Sequence, residues 1–199
     1  MPTRKNATRL ERADRDASRK VNRKQDSWPM RVVGFVSDIG DQPQMRLLCA
    51  STIAIGLSRR DFHLAKTGVK MLAAHTVATW GKSSIKAVIN RTRPDAGDDP
   101  AVRRGNSHAH EDNSFPSGHS AGAVAVARAF ARSYPDHAIA AHVAALAVSA
   151  VQIPRGTHYV GDVAAGVVIG LVGEQSSDAV LGLSSRVIAS DSSMPELGA

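Results

Sequence analysis

The sequence is poor in aromatic residues and has a single cysteine. Aromatic residues make up 4% of the chain and all hydrophobic residues 43%, so Ala, Val, Ile and Leu dominate its apolar content. Because β-sandwich strands favour Tyr, Phe and Thr, and no segment alternates apolar with polar residues, the sequence predicts packed helices. One cysteine excludes an intrachain disulfide, and the apolar neighbours of Cys49 predict a small buried side chain.

Other absences bear on domain count and location. The N-terminal segment lacks the apolar stretch and small-residue cleavage site of a secretory signal, which predicts no export by that route. No shift in composition marks a second core, so 199 residues predict one domain with tails. The uncharged run over residues 138–154 is only just long enough to cross a bilayer, and the other apolar runs are shorter or interrupted by Lys and Arg. With a mean hydropathy of -0.17, both spanning and interfacial helices stay open.

The chain is basic, with a formal net charge of +7, which indicates an anionic partner such as a phosphate ester, a membrane surface or nucleic acid. Nine of its Lys and Arg residues lie in residues 1–27, which contain almost nothing apolar and predict a disordered or conditionally helical tail. This tail is either a solvated arm or an anchor on anionic membrane lipids. The charge has no aromatic or base-reading element beside it, which disfavours nucleic acid.

Helical periodicity begins after the tail and predicts an all-α helical bundle within residues 28–175, followed by a C-terminal tail over 176–199. In the last apolar segment, Gly166 and Gly170 are four residues apart, so a neighbouring helix can approach closely. The predicted helical segments lie near residues 45–58, 64–92, 117–132, 137–153 and 158–174.

Three clusters carry chemistry, and the first reads KAVINRTRP. Pro94 is expected to end the helix that carries this segment. On such a helix Lys86 and Arg93, seven residues apart, return to nearly the same face, about 10 Å apart along the axis. Arg offers a planar fork to two phosphoryl oxygens and Lys a movable charge, so the pair predicts one wall of a phosphate site.

The second cluster reads SFPSGHS over residues 114–120 and leads into an apolar run without helix breakers. It is therefore predicted to lie at a helix N-terminus, where free backbone N–H groups hold an anion. Those of Ser117, Gly118 and His119 are the candidates, with the Ser117 hydroxyl as an extra donor. His119 is then placed beside the bound anion.

The third cluster reads HYVGD over residues 158–162. His158 and Asp162 are four apart, which on a helix stacks them on one face. The carboxylate can then accept a hydrogen bond from one ring nitrogen and leave the other as a directed lone pair. An oriented neutral imidazole suits nucleophilic attack on phosphorus, although a surface ion pair has the same spacing.

Taken in order, the clusters resemble the motifs of the type 2 phosphatidic acid phosphatase superfamily, which includes bacterial acid phosphatases and vanadium-dependent haloperoxidases. The family pattern is Lys, six residues, Arg-Pro; then Pro-Ser-Gly-His; then Ser-Arg, five residues, His, three residues, Asp. The matching positions are Lys86, Arg93, Pro94, residues 116–119, His158 and Asp162. The resemblance implies the family's helical bundle, embedded in or associated with a membrane, and a lipid phosphate substrate.

The chain departs from the family at one point. Val151 and Gln152 stand where the family has Ser-Arg, so the third phosphate-binding arginine is missing from its usual place. Pro154 should end the preceding helix, which places Arg155 in the turn before His158. From there Arg155 is expected to replace part of the missing contact, or else to point into solvent.

The resemblance implies a mechanism in which His158 attacks phosphorus, Asp162 stabilises the cation formed on His158, and His119 protonates the leaving oxygen. Lys86, Arg93 and the N–H groups of the SGH turn hold the other phosphoryl oxygens. No metal or other cofactor is expected. A metal hypothesis exists for the loop sequence HAHED, residues 108–112, but a solvated connector explains it better.

Two rival functions remain compatible with the sequence. A vanadate-dependent haloperoxidase uses the same kind of pocket, but such enzymes resemble much larger chains. A catalytically weak domain that binds anionic lipid through its tail is the other. The substrate choice stays open among phosphatidate, phosphatidylglycerol phosphate and polyprenyl phosphate or diphosphate. The expected location is a bacterial inner membrane, and five crossings with the positive-inside rule would turn the site to the cytoplasm.

Overall fold

The computed structural model describes residues 7–21, 38–97, 99–107 and 109–191, with side chains described as far as residue 183. Short 3₁₀ turns cover Asp38–Gly40, His110–Asp112 and Pro135–His137, and an antiparallel pair joins β1 (Ile89–Asn90) to β2 (Arg103–Arg104). The helices within these ranges are α1 (Arg9–Val21), α2 (Gln42–Ser58), α3 (Phe62–Lys86), α4 (Gly118–Ser133), α5 (Ala138–Ala150) and α6 (Val160–Asp191). The predicted all-α fold is confirmed.

Side chains that precede the helices fix where two of them start. Asp61 caps α3, its carboxylate accepting a hydrogen bond from the Leu64 N–H at 2.9 Å. Ser117 caps α4 in the same way, with Ser120 as donor at 3.4 Å. These contacts satisfy N–H groups that have no partner within the first turn.

Helices α3 and α4 form the centre of the bundle. α2 packs on α3, α5 packs on α4, and α6 packs on both central helices. A Cβ on Gly166 would lie 2.5 Å from the Ser117 carbonyl oxygen, and one on Gly170 would lie 2.7 Å from that of Ala121. The prediction that these glycines permit close helix packing is therefore confirmed. Cys49 is fully buried, as predicted, and burial raises the pKa of its thiol to about 11.

Helix α3 ends earlier than its apolar pattern in the sequence predicts. The pattern extends to residue 92, but α3 ends at Lys86. The backbone then pairs elsewhere: Asn90 lies opposite Arg103, and the Arg93 N–H donates to the Glu111 carbonyl at 2.8 Å. The expectation that Lys86 and Arg93 share a helix face is wrong, because these long-range backbone bonds replace the last helical turns.

The segments expected to be tails contain helix. Helix α1 lies within residues 1–27 and packs against α6, while α6 itself continues through residue 176 to Asp191. Residues 1–6, 22–37 and 192–199 lie outside the described residues. In the part of the chain that the structure describes, no helix is both long enough and apolar enough to cross a membrane.

Candidate active site

The three motifs meet around one cavity of about 420 Å³. It lies where the end of α3, the start of α4 and the turn before α6 come together, closed on one side by the Asp38–Gly40 turn. Four basic side chains and two carboxylates line it, so its walls favour an anion. Its charged and imidazole side chains are Lys82, Lys86, Arg93, Arg155, Asp38, Asp41, His110, His119 and His158.

The first motif supplies two of these cations, although not from one helix. Lys86 ends α3 and its Nζ donates to the Asn113 carbonyl, while Arg93 lies in the following loop and its Nε donates to the His110 carbonyl at 3.0 Å. Burial, with the nearby charge of Arg93, lowers the pKa of Lys86 to about 8. Its charge, useful for holding phosphate, is therefore lost as pH rises through that range.

Lys82 is a cavity residue that sequence reasoning missed. It lies one helical turn before Lys86 on α3, and burial lowers its pKa. A Cβ on Gly118 would lie 2.8 Å from its Nζ, so glycine at that position leaves room for the ammonium group. The signal was present, because residues four apart on a helix share a face.

The second motif opens α4, as predicted, and brings Gly118 and His119 to the cavity. Ser117 does not line the cavity. Its N–H donates to the Asp162 carbonyl at 3.0 Å, and its hydroxyl oxygen accepts a hydrogen bond from the Ser120 hydroxyl at 3.0 Å. Both groups serve the start of the helix in this structure, and the contact of Ser117 with the anion stays a prediction.

The third motif places His158 in the cavity wall and Asp162 behind it. His158 precedes α6 by two residues, so the two side chains do not stack on a helix as expected. Nδ1 of His158 lies 3.7 Å from Oδ2 of Asp162, just beyond hydrogen-bond distance. Burial lowers the pKa of His158 to about 4, against the opposing effect of the carboxylate, so the imidazole is neutral at pH 7.

The Asp162 carboxylate is fully buried and held by three donors. Arg91 Nη1 reaches Oδ1 at 2.5 Å, while the Ser114 hydroxyl at 2.5 Å and the Tyr159 N–H at 2.9 Å donate to Oδ2. Burial raises the pKa of Asp162, but these partners and His158 lower it more, so its anionic form persists. Sequence reasoning missed Arg91 and Ser114, although both lie inside quoted motifs.

His119 faces His158 across the cavity, with ring centroids 6.5 Å apart. Its Nε2 lies 2.8 Å from Oδ1 of Asp41, without the direction of a hydrogen bond. Burial lowers its pKa, whereas Asp41 opposes this shift. A bound phosphate dianion would act in the same direction as Asp41, which favours the protonated form that a general acid needs.

The turn between α5 and α6 places Gln152 and Arg155 in the cavity wall. These are the two residues at the position where the sequence differs from the family pattern. Gln152 is fully buried, and its amide donates to the Val148 carbonyl at 3.1 Å. Arg155 lies in the turn, as predicted, and its Nη1 donates to Asp38 at 2.7 Å. The guanidinium therefore borders the cavity.

A possible metal-binding group differs from the one weighed in the sequence. Asp38, Asp41 and His119 each offer a ligand atom within 4.8 Å of the others. In the HAHED loop, His110 lines the cavity, whereas His108 lies outside the described residues. Two carboxylates and an imidazole fit a divalent cation, but Arg155 already forms an ion pair with Asp38.

The fold and the motif positions define a class of protein. The family model of the PAP2 superfamily matches residues 67–174, and the chain belongs to this family. Among solved structures, the chain is similar to a transmembrane PAP2-type phosphatidylglycerolphosphate phosphatase from Bacillus subtilis. That similarity has a TM-score of 0.66 and 21% identity, covering 88% of this chain and 87% of the other. The search of curated proteins found no match.

Proposed function

We propose that the protein is a lipid phosphate phosphatase that works through a phosphohistidine on His158. Nε2 of His158 attacks phosphorus and forms a P–N bond as the P–O ester bond breaks. The electron pair goes to the leaving oxygen, which takes a proton from His119. Water, giving its proton back to His119, then cleaves the P–N bond and releases inorganic phosphate. Asp162 stabilises the imidazolium in between.

The observation that carries this proposal is the opposition of two imidazoles in a cationic cavity. His158 is neutral and backed by a buried carboxylate, while His119 faces it at a centroid distance of 6.5 Å. This spacing suits a phosphoryl group between nucleophile and acid. Lys86, Arg93 and the α4 N-terminus surround the same space, where the transition state gathers negative charge.

A second cavity favours a lipid over a soluble ester. It has a volume of about 350 Å³ between α2, α4 and α5, and Thr52 is its sole polar lining residue among those described. The Asp38–Gly40 turn separates the two cavities: its outer residues line the polar cavity and Ile39 lines the apolar one. We assign this groove to an acyl or prenyl chain whose phosphate lies at His158.

The outer surface supports association with a membrane. Large apolar side chains are exposed on several helices, which gives these helices apolar surface that lipid can contact. Basic side chains of α1, such as Arg9, Arg12 and Arg19, are exposed as well and suit anionic headgroups. The apolar examples include Leu47 and Leu57 on α2, Trp80 on α3, Ile139 and Leu146 on α5, and Val172 and Leu183 on α6.

A substrate comparison tests the function. The purified full chain, in detergent micelles with EDTA, is given phosphatidate, phosphatidylglycerol phosphate, polyprenyl phosphate or diphosphate, or soluble p-nitrophenyl phosphate. We expect phosphate release from a lipid, with kcat/KM at least about tenfold above the soluble ester, or about 1.4 kcal/mol of transition-state binding. Ala144→Phe, which fills the apolar groove, should lower this ratio, whereas Ala140→Phe, exposed on the same helix, should not.

Three outcomes would contradict the proposal. No phosphate release with salt-sensitive binding to anionic liposomes would indicate a lipid-binding module. Loss of activity in EDTA with recovery on adding a divalent cation would point to a metal at Asp38, Asp41 and His119. Halide oxidation after vanadate loading, without phosphatase activity, would indicate a haloperoxidase.

We also propose that Arg155 replaces part of the missing family arginine. Its guanidinium borders the cavity with Gln152, which offers a neutral amide. A guanidinium gives a charge-assisted contact of about twice the strength per bond. Arg155→Ala should therefore lower kcat/KM by at least about tenfold, or about 1.4 kcal/mol.

The control uses the family position itself. Gln152→Arg in the Arg155→Ala background should restore part of the loss, since it returns a guanidinium to the same wall. Asp38→Asn removes the ion pair with Asp38 and keeps the guanidinium, so it distinguishes a loss of the ion pair from a loss of the phosphate contact. An Arg155→Ala enzyme with wild-type kcat/KM on its best substrate would show that the guanidinium does not act on phosphate.

A further inference from the structure

Helix α1 reaches the catalytic end of the molecule through two side chains. Oδ1 of Asp14 accepts a hydrogen bond from the Gly161 N–H at 2.8 Å, and Oδ2 accepts one from Arg91 Nη2 at 2.7 Å. The Ser18 hydroxyl oxygen accepts a hydrogen bond from the Val160 N–H at 3.1 Å. Asp14 and Gly161 are 147 residues apart in the sequence, and Ser18 and Val160 are 142 residues apart.

The contacts provide hydrogen-bond acceptors for the N–H groups at the start of α6, which begins two residues after His158. The first N–H groups of a helix have no acceptor within it. Here α1 supplies acceptors for the Val160 and Gly161 groups, and Asp162 supplies one for Tyr159. A negative side chain at this end also suits the helix dipole. Asp14 therefore acts as a helix cap from a distant part of the chain.

Asp14 also fixes a buried guanidinium. Arg91 is 3% exposed, and its other two nitrogens are occupied: Nη1 by Asp162 and Nε by the Pro100 carbonyl at 3.0 Å. Its guanidinium carbon lies 4.0 Å above the Tyr159 ring. With a partner on each nitrogen the group has one orientation, and that orientation aims Nη1 at Asp162. Without Asp14, a buried Nη2 would lack an acceptor.

Gly161 makes the approach possible. A Cβ at this position would lie 2.7 Å from Oδ2 of Asp14, too close for a real contact. Gly161 has no unusual backbone angle, since Gly156 is the one glycine with positive φ among the described residues. An alanine at 161 is therefore compatible with the α6 backbone and incompatible with the present position of Asp14.

We infer that Asp14 is a positioning residue for phosphoryl transfer: it holds Arg91, and through Arg91 the Asp162 carboxylate that stabilises the His158 imidazolium. The inference rests on the proposed function. Asp14 touches neither the cavity nor the phosphate-binding cations, so its effect belongs to the chemical step and not to substrate binding. It also makes α1 part of the active-site architecture in addition to any role at a membrane surface.

The first experiment compares two acidic residues on one helix. Asp14→Asn keeps an oxygen for the Gly161 N–H and removes the charge that faces Arg91. Asp16→Asn makes the same change two positions away, where the side chain is 59% exposed and pairs with Arg15. On the best lipid substrate we expect kcat to fall by about tenfold in Asp14→Asn with KM within about threefold, and no change in Asp16→Asn.

A second readout separates positioning from loss of structure. Vanadate bound at His158 takes the geometry of the attacked phosphorus, whereas inorganic phosphate reports the ground state. The inhibition constant of vanadate should rise by about the factor lost in kcat, while that of phosphate stays within about twofold. A lowered melting temperature with unchanged kcat, or equal weakening of both inhibitors, would overturn the inference.

A double-mutant cycle with Gly161→Ala tests the same contact in a protein that keeps Asp14. Gly161→Ala should lower kcat in the same direction as Asp14→Ala, because it displaces the carboxylate that Asp14→Ala removes, and the double variant should be no worse than Asp14→Ala alone. Additive losses would overturn the shared-contact explanation. A wild-type chain without phosphatase activity overturns both proposals, whereas an active wild type with an equally active Asp14→Asn variant overturns this inference alone.

Discussion

The His158→Ala protein is expected to fold and to release no phosphate. Within the described residues, His158 is the one cavity imidazole that is fully buried with a fully buried carboxylate behind it, whereas His119 and its neighbour Asp41 are partly exposed. Loss of a nucleophile removes the covalent route, so the fall in kcat should be at least about 10⁴-fold. Rapid quenching with a ³²P-labelled lipid should trap an acid-labile phosphohistidine in the wild type and none in the variant.

The control is a second buried histidine. His75 lies in α3, away from the cavity, and burial lowers its pKa to about 4 as well. His75→Ala should lower the melting temperature and keep wild-type kcat per folded molecule. For the wild type, activity should fall on the acid side as pH drops through about 4, where His158 takes a proton and loses its lone pair. If the folded His158→Ala protein releases phosphate at the wild-type rate, His158 is not the nucleophile.

His119→Ala should have the second largest effect, and that effect should depend on the leaving group. An alkoxide leaves poorly without a proton, so kcat on a lipid phosphate should fall by about 10²- to 10⁴-fold. Nitrophenolate needs no proton. Single-turnover release of nitrophenol from p-nitrophenyl phosphate should therefore be far less affected, while the later hydrolysis of phosphohistidine slows.

His110 provides the comparison, because it lines the same cavity without facing His158 as a ring pair. His110→Ala should slow both substrates equally or not at all. If His110→Ala slows the lipid phosphate much more than p-nitrophenyl phosphate and His119→Ala does not, then His110 and not His119 is the general acid.

The sequence predicted the parts of the site that depend on local pattern. An apolar run without breakers after SFPSGHS predicted the start of α4, and the Pro154 signal predicted the turn that holds Arg155. Order and spacing of the motifs then brought Lys86 and His158 to one cavity. These predictions succeeded because capping and turn preferences act over a few residues.

The parts it missed depend on contacts between distant segments. Asp14 sits among many charges in a polar segment, so no periodicity distinguishes it from a solvated residue. Asp41 likewise precedes α2 without a motif. The early end of α3 has the same origin, since its apolar pattern continues while backbone pairing to residues 103–104 and 111–112 takes over. Tertiary bonds override local preference at these positions.

Gly40 is the thin point between the two cavities, and its lack of a side chain couples two properties of the enzyme. A Cβ there would lie 2.6 Å from Cγ1 of Val148, in the apolar groove, and 3.1 Å from Cδ2 of His119. Any larger residue must therefore displace Val148 or His119. If the proposed roles of the groove and of His119 hold, a substitution at position 40 alters the preference for lipid chain length and the delivery of the proton together.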